Sequence, residues 1–327
     1  MSVRRAAWRR ALASVGCIAA LAALASCSTH ATPPDANDEL ARAMRALWNF
    51  SDPVASERAF RERAASAVDP DKAELETQAL RALALQGKTR EALLALDALE
   101  PRTRALPARV GVRVTLERGR CLNSSGDPAG ARPLFVAAWE RARAAGLDDL
   151  AVDAAHMVAI TEIGTAAVEW NLRALALADS SPSDQARRWR TALFNNLAWA
   201  HHDLGEYDRA LTYFEKARDE SRSGSDLETQ RIAVWSVARA LRSLHRHDEA
   251  LAIQERLEAE LAAADQVDGY VLEEIAENLE ALGRYREAAP YFRRAHVELT
   301  KDETLARTEP DRLERLQRLG GEPEARP

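Results

Sequence analysis

The stretch TALFNNLAWAHHDLGEYDRALTYFEKA, residues 191–217, decides the fold. Phe194, Leu197, Ala198 and His201 recur at the three- and four-residue spacing of one helix face. Leu204-Gly205-Glu206-Tyr207 then breaks the helix, and Ala210, Phe214 and Ala217 begin a second. Gly205 supplies the left-handed residue that ends the first helix, and Tyr207 is expected to pack under the turn. Two antiparallel helices approach closely only where side chains are small, which explains alanine at 198, 210 and 217.

Working outward, the pattern repeats at 269–295, with Leu272, Ile275, Ala276 and Leu279, then Leu282-Gly283-Arg284-Tyr285, then Ala288, Phe292 and Ala295. Between the two lies a degenerate copy, Val234, Val237, Ala238, Leu241, His247, Ala250 and Leu257, with a histidine where the tyrosine stood. Weaker copies precede them: Gly119, Leu122, Gly126, Ala131, Phe135 and Ala138, and before that Leu80, Leu83, Gly87, Ala92, Leu96 and Leu99. Residues 149–178 and 40–67 fit as helix pairs through alanine spacing and position. This pattern resembles the tetratricopeptide repeat (TPR). The resemblance implies an all-α, right-handed α-solenoid of about seven TPR-like helix pairs over residues 39–300, closed by a capping helix in 301–327. The marker alanines at 92, 131, 167, 210, 250 and 288 are 36 to 43 residues apart, so helices or turns are extended beyond the usual repeat of about 34.

Composition agrees with helices. Of 327 residues, 46% are apolar, enough for a continuous core, and only 6% are aromatic; alanine and leucine dominate, and both lose little rotamer freedom in a helix. Acids outnumber bases, 51 to 45, which disfavours nucleic acid as a partner.

The first residues carry a different signal. Arg4, Arg5, Arg9 and Arg10 precede an apolar run from Ala11 to Ser26, the grammar of a signal peptide over 1–26. A helix of that run would span roughly 24 Å, short of a hydrocarbon slab of about 30 Å. The run ends in Leu24-Ala25-Ser26-Cys27, which resembles the lipobox of bacterial lipoproteins. That resemblance implies cleavage before Cys27, acylation of its thiol and a durable membrane anchor, followed by a flexible tether over 27–38. Ser28 stands where enteric lipoproteins retained at the inner membrane carry aspartate, so the implied location is the outer membrane, facing the periplasm. Without the leader, 41 bases face 51 acids, and the acidic body needs such an anchor to stay on a membrane. Cys17 leaves with the leader, so Cys121 is the one free thiol, read as a small buried apolar residue.

In the tetratricopeptide family the concave surface is lined by the first helix of each pair. Carried onto this sequence, that surface presents Asn195, Trp199 and His202, then Trp235, Arg239 and Arg242, then Glu273, Glu277 and Glu280. The expected function is a lipid-anchored scaffold that binds envelope proteins or peptides. A partner segment would lie across Trp199 and Trp235 while its carboxylates meet Arg239 and Arg242. The competing expectation is that Arg239 and Arg242 pair with Glu273 and Glu277 of the next repeat. Two other functions are weighed: a metal-dependent or histidine-based enzyme of the cell envelope centred on His156 and His202, and a soluble secreted repeat protein. His201 and His202 point about 100° apart on a helix and do not share a metal unaided. His245 and His247 read as solvated turn residues. No phosphate loop, Cys-x-x-Cys, His-Glu-x-x-His helix or nucleophile elbow is present, and neither a catalytic residue nor a cofactor or metal is assigned.

Overall fold

Helices separated by short breaks account for all regular structure among the described residues of the computed structural model, 36–223 and 225–321. They are α1 (Ala36–Leu47), α2 (Pro53–Ala65), α3 (Asp71–Leu85), α4 (Thr89–Thr103), α5 (Ala108–Ser124), α6 (Pro128–Ala144), α7 (Asp148–Thr161), α8 (Thr165–Ser180), α9 (Asp184–Arg187) and α10 (Arg190–Asp203). Then follow α11 (Tyr207–Ser221), α12 (Leu227–Ser243), α13 (His247–Ala262), α14 (Gly269–Ala281), α15 (Tyr285–Leu299), α16 (Glu303–Thr308) and α17 (Pro310–Leu319).

The breaks have two chemistries. Some helices start on a side-chain cap: Asp52, Asp127, Asp226, Asp268 and Asp302 each accept from a backbone N–H of the first turn, satisfying a donor the helix cannot. Other breaks stop a helix with a left-handed residue. Gly283 has φ 74° and lets Arg284 N donate back to Leu279 O at 2.9 Å. The same closure joins Arg246 N to Leu241 O at 3.0 Å, but there the left-handed residue is His245, φ 59°.

The described residues fall into two compact units, one ending at Leu204 and one starting at Gly205. In the N-terminal unit the helices pack on their sequence neighbours, with α10 reaching past the single turn α9 to α8, and α3, α5 and α7 also contact one another in succession, the nearest-neighbour pattern of a helical repeat. The C-terminal unit repeats it, with α11 to α15 in sequence and α12 against α14. Second helices carry the packing signature that the sequence displays. Phe135, Phe214 and Phe292 are fully buried, each flanked by buried alanines four residues before and three after. Across from Phe135 stands Gly119 of α5, where a Cβ would lie 2.5 Å from the ring. In the helix pair at 149–178 and the degenerate copy around 234–257 an amide stands at the phenylalanine position, Asn171 and Gln254, and both are buried.

α17 closes the C-terminal unit. Leu313 and Leu316 face inward while Asp311, Glu314, Gln317 and Arg318 face out. Gly320, just past its end, lies so close to the Arg293 backbone that a Cβ would meet it at 2.7 Å, and its carbonyl accepts from Arg293 Nε at 3.0 Å. The helix α16 and the single turn α9 are elements that the sequence reading does not separate. The leader, Cys27 and most of the tether lie outside the described residues.

Candidate partner-binding faces

In the N-terminal unit, Asn195, Trp199 and His202 follow one another at i, i+4 and i+7 on α10 and are all partly exposed. The rings of Trp199 and His202 pack edge to face, 5.3 Å between centroids. Their neighbour Asn196 bonds His156 Nδ1 at 2.8 Å. His156 is 6% exposed and lies 5.1 Å from the Trp189 ring. Burial pushes its pKa down to about 4, with Arg120 and Arg81 adding to the effect against Asp153. A neutral, hydrogen-bonded His156 is therefore committed to Asn196. Among the described residues no group of three His, Cys, Asp or Glu side chains is placed to hold a metal ion. His201, next to His202 in sequence, is buried.

A polar ladder that the sequence reading did not single out runs across the first helices of this unit. Glu74 of α3, 1% exposed, sits between Arg109 and Arg113 of α5, with N–O distances of 2.8 and 2.7 Å. Gln78 accepts from Trp48 Nε1 at 3.3 Å and donates to Glu117 at 3.4 Å. Arg120 donates to Glu117 at 2.6 Å and also bonds Asp153 of α7. Burial alone would raise the Asp153 carboxyl, yet the Arg120 guanidinium holds it below the ordinary carboxylate range. The signal for this ladder is its spacing: Glu74 to Arg113 is 39 residues and Arg120 to Asp153 is 33, one repeat apart with opposite signs.

The C-terminal unit builds a similar ladder from the residues proposed as a face. Trp235 is 7% exposed, and its indole donates to Tyr270 O at 3.4 Å. Arg242 grips Glu274 with two bonds of 2.7 and 2.8 Å and reaches Glu277 at 3.5 Å. Arg239 donates to Ser243 at 2.6 Å and lies 3.4 Å from Glu274. Burial, aided by the like charge of Arg242, lowers the Arg239 pKa, while Glu274 and then Glu277 hold that of Arg242 above its ordinary value despite burial. Glu273 bonds Arg312 of the capping helix at 2.9 Å; burial nevertheless raises its carboxyl pKa. Arg315 takes Glu277 and, at 3.1 Å, Glu280. Repeat-to-repeat pairing is thus present, but its main acid is Glu274, one residue from the expected Glu273, which the cap claims instead.

The Tetratricopeptide repeat family model matches residues 191–222, which span α10, the Gly205 turn and α11. A comparison with curated protein sequences finds no match. Solved structures resemble the chain over most of its length. They include NprR in complex with its cognate peptide NprX, at 16% identity and TM-score 0.52 over 89% of this chain and 85% of that one. The apo form of RapI gives 12% identity and TM-score 0.62 over 86% and 83%. A Rap protein complexed with competence and sporulation factor gives 15% and 0.54 over 85% and 78%. The chain therefore carries a tetratricopeptide repeat, and its fold is that of TPR-like helical-repeat proteins. No helix among the described residues is long and apolar enough to cross a membrane.

Proposed function

We propose that the protein is a non-catalytic, lipid-anchored scaffold of the bacterial cell envelope that binds a peptide or a segment of a partner protein on the exposed side of its first helices. The carrying observation is the face of α10. Asn195, Trp199 and His202 stay partly exposed there, while Trp235 and the arginines of α12 are engaged within their own unit. A partly exposed indole packed on an imidazole offers a rigid, mainly apolar surface, the chemistry of an interface anchor, although its Nε1 is itself buried. Fold similarity supports the class of partner, since NprR and a Rap protein of like fold are solved with a cognate peptide and with competence and sporulation factor. Anchoring rests on the lipobox-like residues 24–27 and on the acidic composition that would otherwise keep the body off a membrane.

Two experiments test the two halves of the reading. A photo-crosslinking side chain at position 199 in living cells is expected to capture a discrete partner, and Trp199→Ala is expected to abolish co-purification of that partner while the protein stays folded by circular dichroism. Undiminished co-purification removes α10 as the binding face. Detergent phase partitioning of the wild type against Cys27→Ala tests the anchor: both forms in the aqueous phase would end the lipoprotein reading.

A further inference from the structure

One turn departs from its sisters. Leu204-Gly205-Glu206-Tyr207 and Leu282-Gly283-Arg284-Tyr285 become Leu244-His245-Arg246-His247 between α12 and α13. His245 keeps the left-handed backbone of the glycines it replaces, a conformation disfavoured for any residue with a Cβ. A strained substitution held by the surrounding fold invites a functional explanation.

Hydrogen bonding fixes the chemistry of the second histidine. Asn278 of α14 is fully buried, and its Nδ2 donates to the Glu274 carbonyl at 2.7 Å, so its Oδ1 must face the other way. That oxygen lies 3.2 Å from His247 Nδ1. An amide oxygen only accepts, so Nδ1 is the ring nitrogen that donates to Asn278, and Nε2 is the one left to bind a ligand. A carbonyl that holds one ring nitrogen as a donor and leaves the other as a ligand is the usual support of a metal-binding histidine. The His245 ring is 5.7 Å away, centroid to centroid, at an interplanar angle of 63°. Two imidazoles sharing one zinc at about 2.0–2.1 Å have centroids roughly 5–6 Å apart.

We propose that His245 and His247 form a surface site for a borderline divalent transition cation, with Zn²⁺ as the type and Asn278 as the positioning residue. Imidazole nitrogens select Zn²⁺, Ni²⁺ or Cu²⁺ over Mg²⁺ and Ca²⁺. The positive charge beside the pair is offset by acids. Arg246, between the two histidines, is gripped by Glu249 through two bonds of 2.7 Å, and Glu215 and Asp208 of α11 also act on it. The start of α13 carries a partial positive charge, which Asp248 and Glu249 in its first turn offset. Among the described residues no third protein ligand joins the pair, so water or a side chain of another molecule completes the coordination. The site is independent of the partner face on α10.

The test is titration calorimetry of Zn²⁺ into the full, untagged chain, with Mg²⁺ as the control cation. His245→Gly with His247→Tyr restores the sequence of the sister turns and is expected to keep the fold, verified by circular dichroism. Zinc affinity should fall about tenfold or more in this double variant. A measurement on the unaltered protein stands beside it: bound Zn²⁺ should protect His245 and His247 from acylation by diethyl pyrocarbonate, read by mass spectrometry. Absence of zinc binding, unchanged affinity in the folded double variant, or protection confined to other histidines would overturn the proposal.

Discussion

His245 sets a side chain against its own backbone. With φ 59° where the sister turns use glycine, it bears a cost that His245→Gly should relieve, by about 0.5–1 kcal/mol after the extra freedom of glycine in the unfolded chain is counted. Urea unfolding measures this directly, and a midpoint that stays or falls would mean that the His245 side chain earns back its strain without metal. Cys121 shows the opposite condition, a residue at peace with its surroundings. Packed among Leu83, Leu96, Val114 and their neighbours, its thiol is pushed up to about 12, chiefly by burial and then by Glu117. At neutral pH it is a thiol rather than a thiolate, which makes it a poor nucleophile.

Helices are held to one another by two devices, close approach and charge. The Phe135 ring lies against the bare Cα of Gly119, so Gly119→Ala should cost about 1–3 kcal/mol through overpacking, seen as a lower melting temperature. A rise in melting temperature would show that the ring has room to move. For charge, Arg242→Ala leaves buried Glu274 with Arg239 as its remaining ion pair among the described residues, and a loss of about 3 kcal/mol is expected, while Arg242→Met combined with Glu274→Leu should stay much closer to the wild type. Equal losses in the two variants would refute that account. Most helix pairs were legible because left-handed glycines such as Gly205 and Gly283 punctuate an Ala–Phe–Ala pattern whose physics is local. The ladders were not, because Glu74, Arg113, Arg120 and Asp153 each look like ordinary solvated helix charges; their meaning lies in partners a full repeat away. For the same reason repeat spacing points Glu273 to the wrong neighbour, as its partner Arg312 belongs to the cap and not to a repeat. Trp235 read as a groove residue by register, and only its contact with the Tyr270 carbonyl reveals its burial.

At the scale of the whole molecule, stability should depend on acidity through His156. Its pKa of about 4 when folded lies below the ordinary 6.5, so the unfolded chain binds the extra proton, and stability is present above pH 6.5 and lost as the pH falls toward 4. The loss is about 3 kcal/mol, and Asp153, whose pKa is also lowered, adds to it at still lower pH. Urea unfolding of the wild type at pH 7 and pH 4.5, beside His156→Gln, measures the slope; equal slopes in the two proteins would exclude His156 as its source. The cap imposes a constraint of another kind. Its inward side is spent on Leu313, Leu316 and the arginines that answer Glu273, Glu277 and Glu280, and its outward side is Asp311, Glu314, Gln317 and Arg318. A duplicated helix pair appended after it would find no greasy shelf to rest on. Extra repeats are therefore expected to be tolerated upstream of α16 and to lower stability when placed directly behind α17.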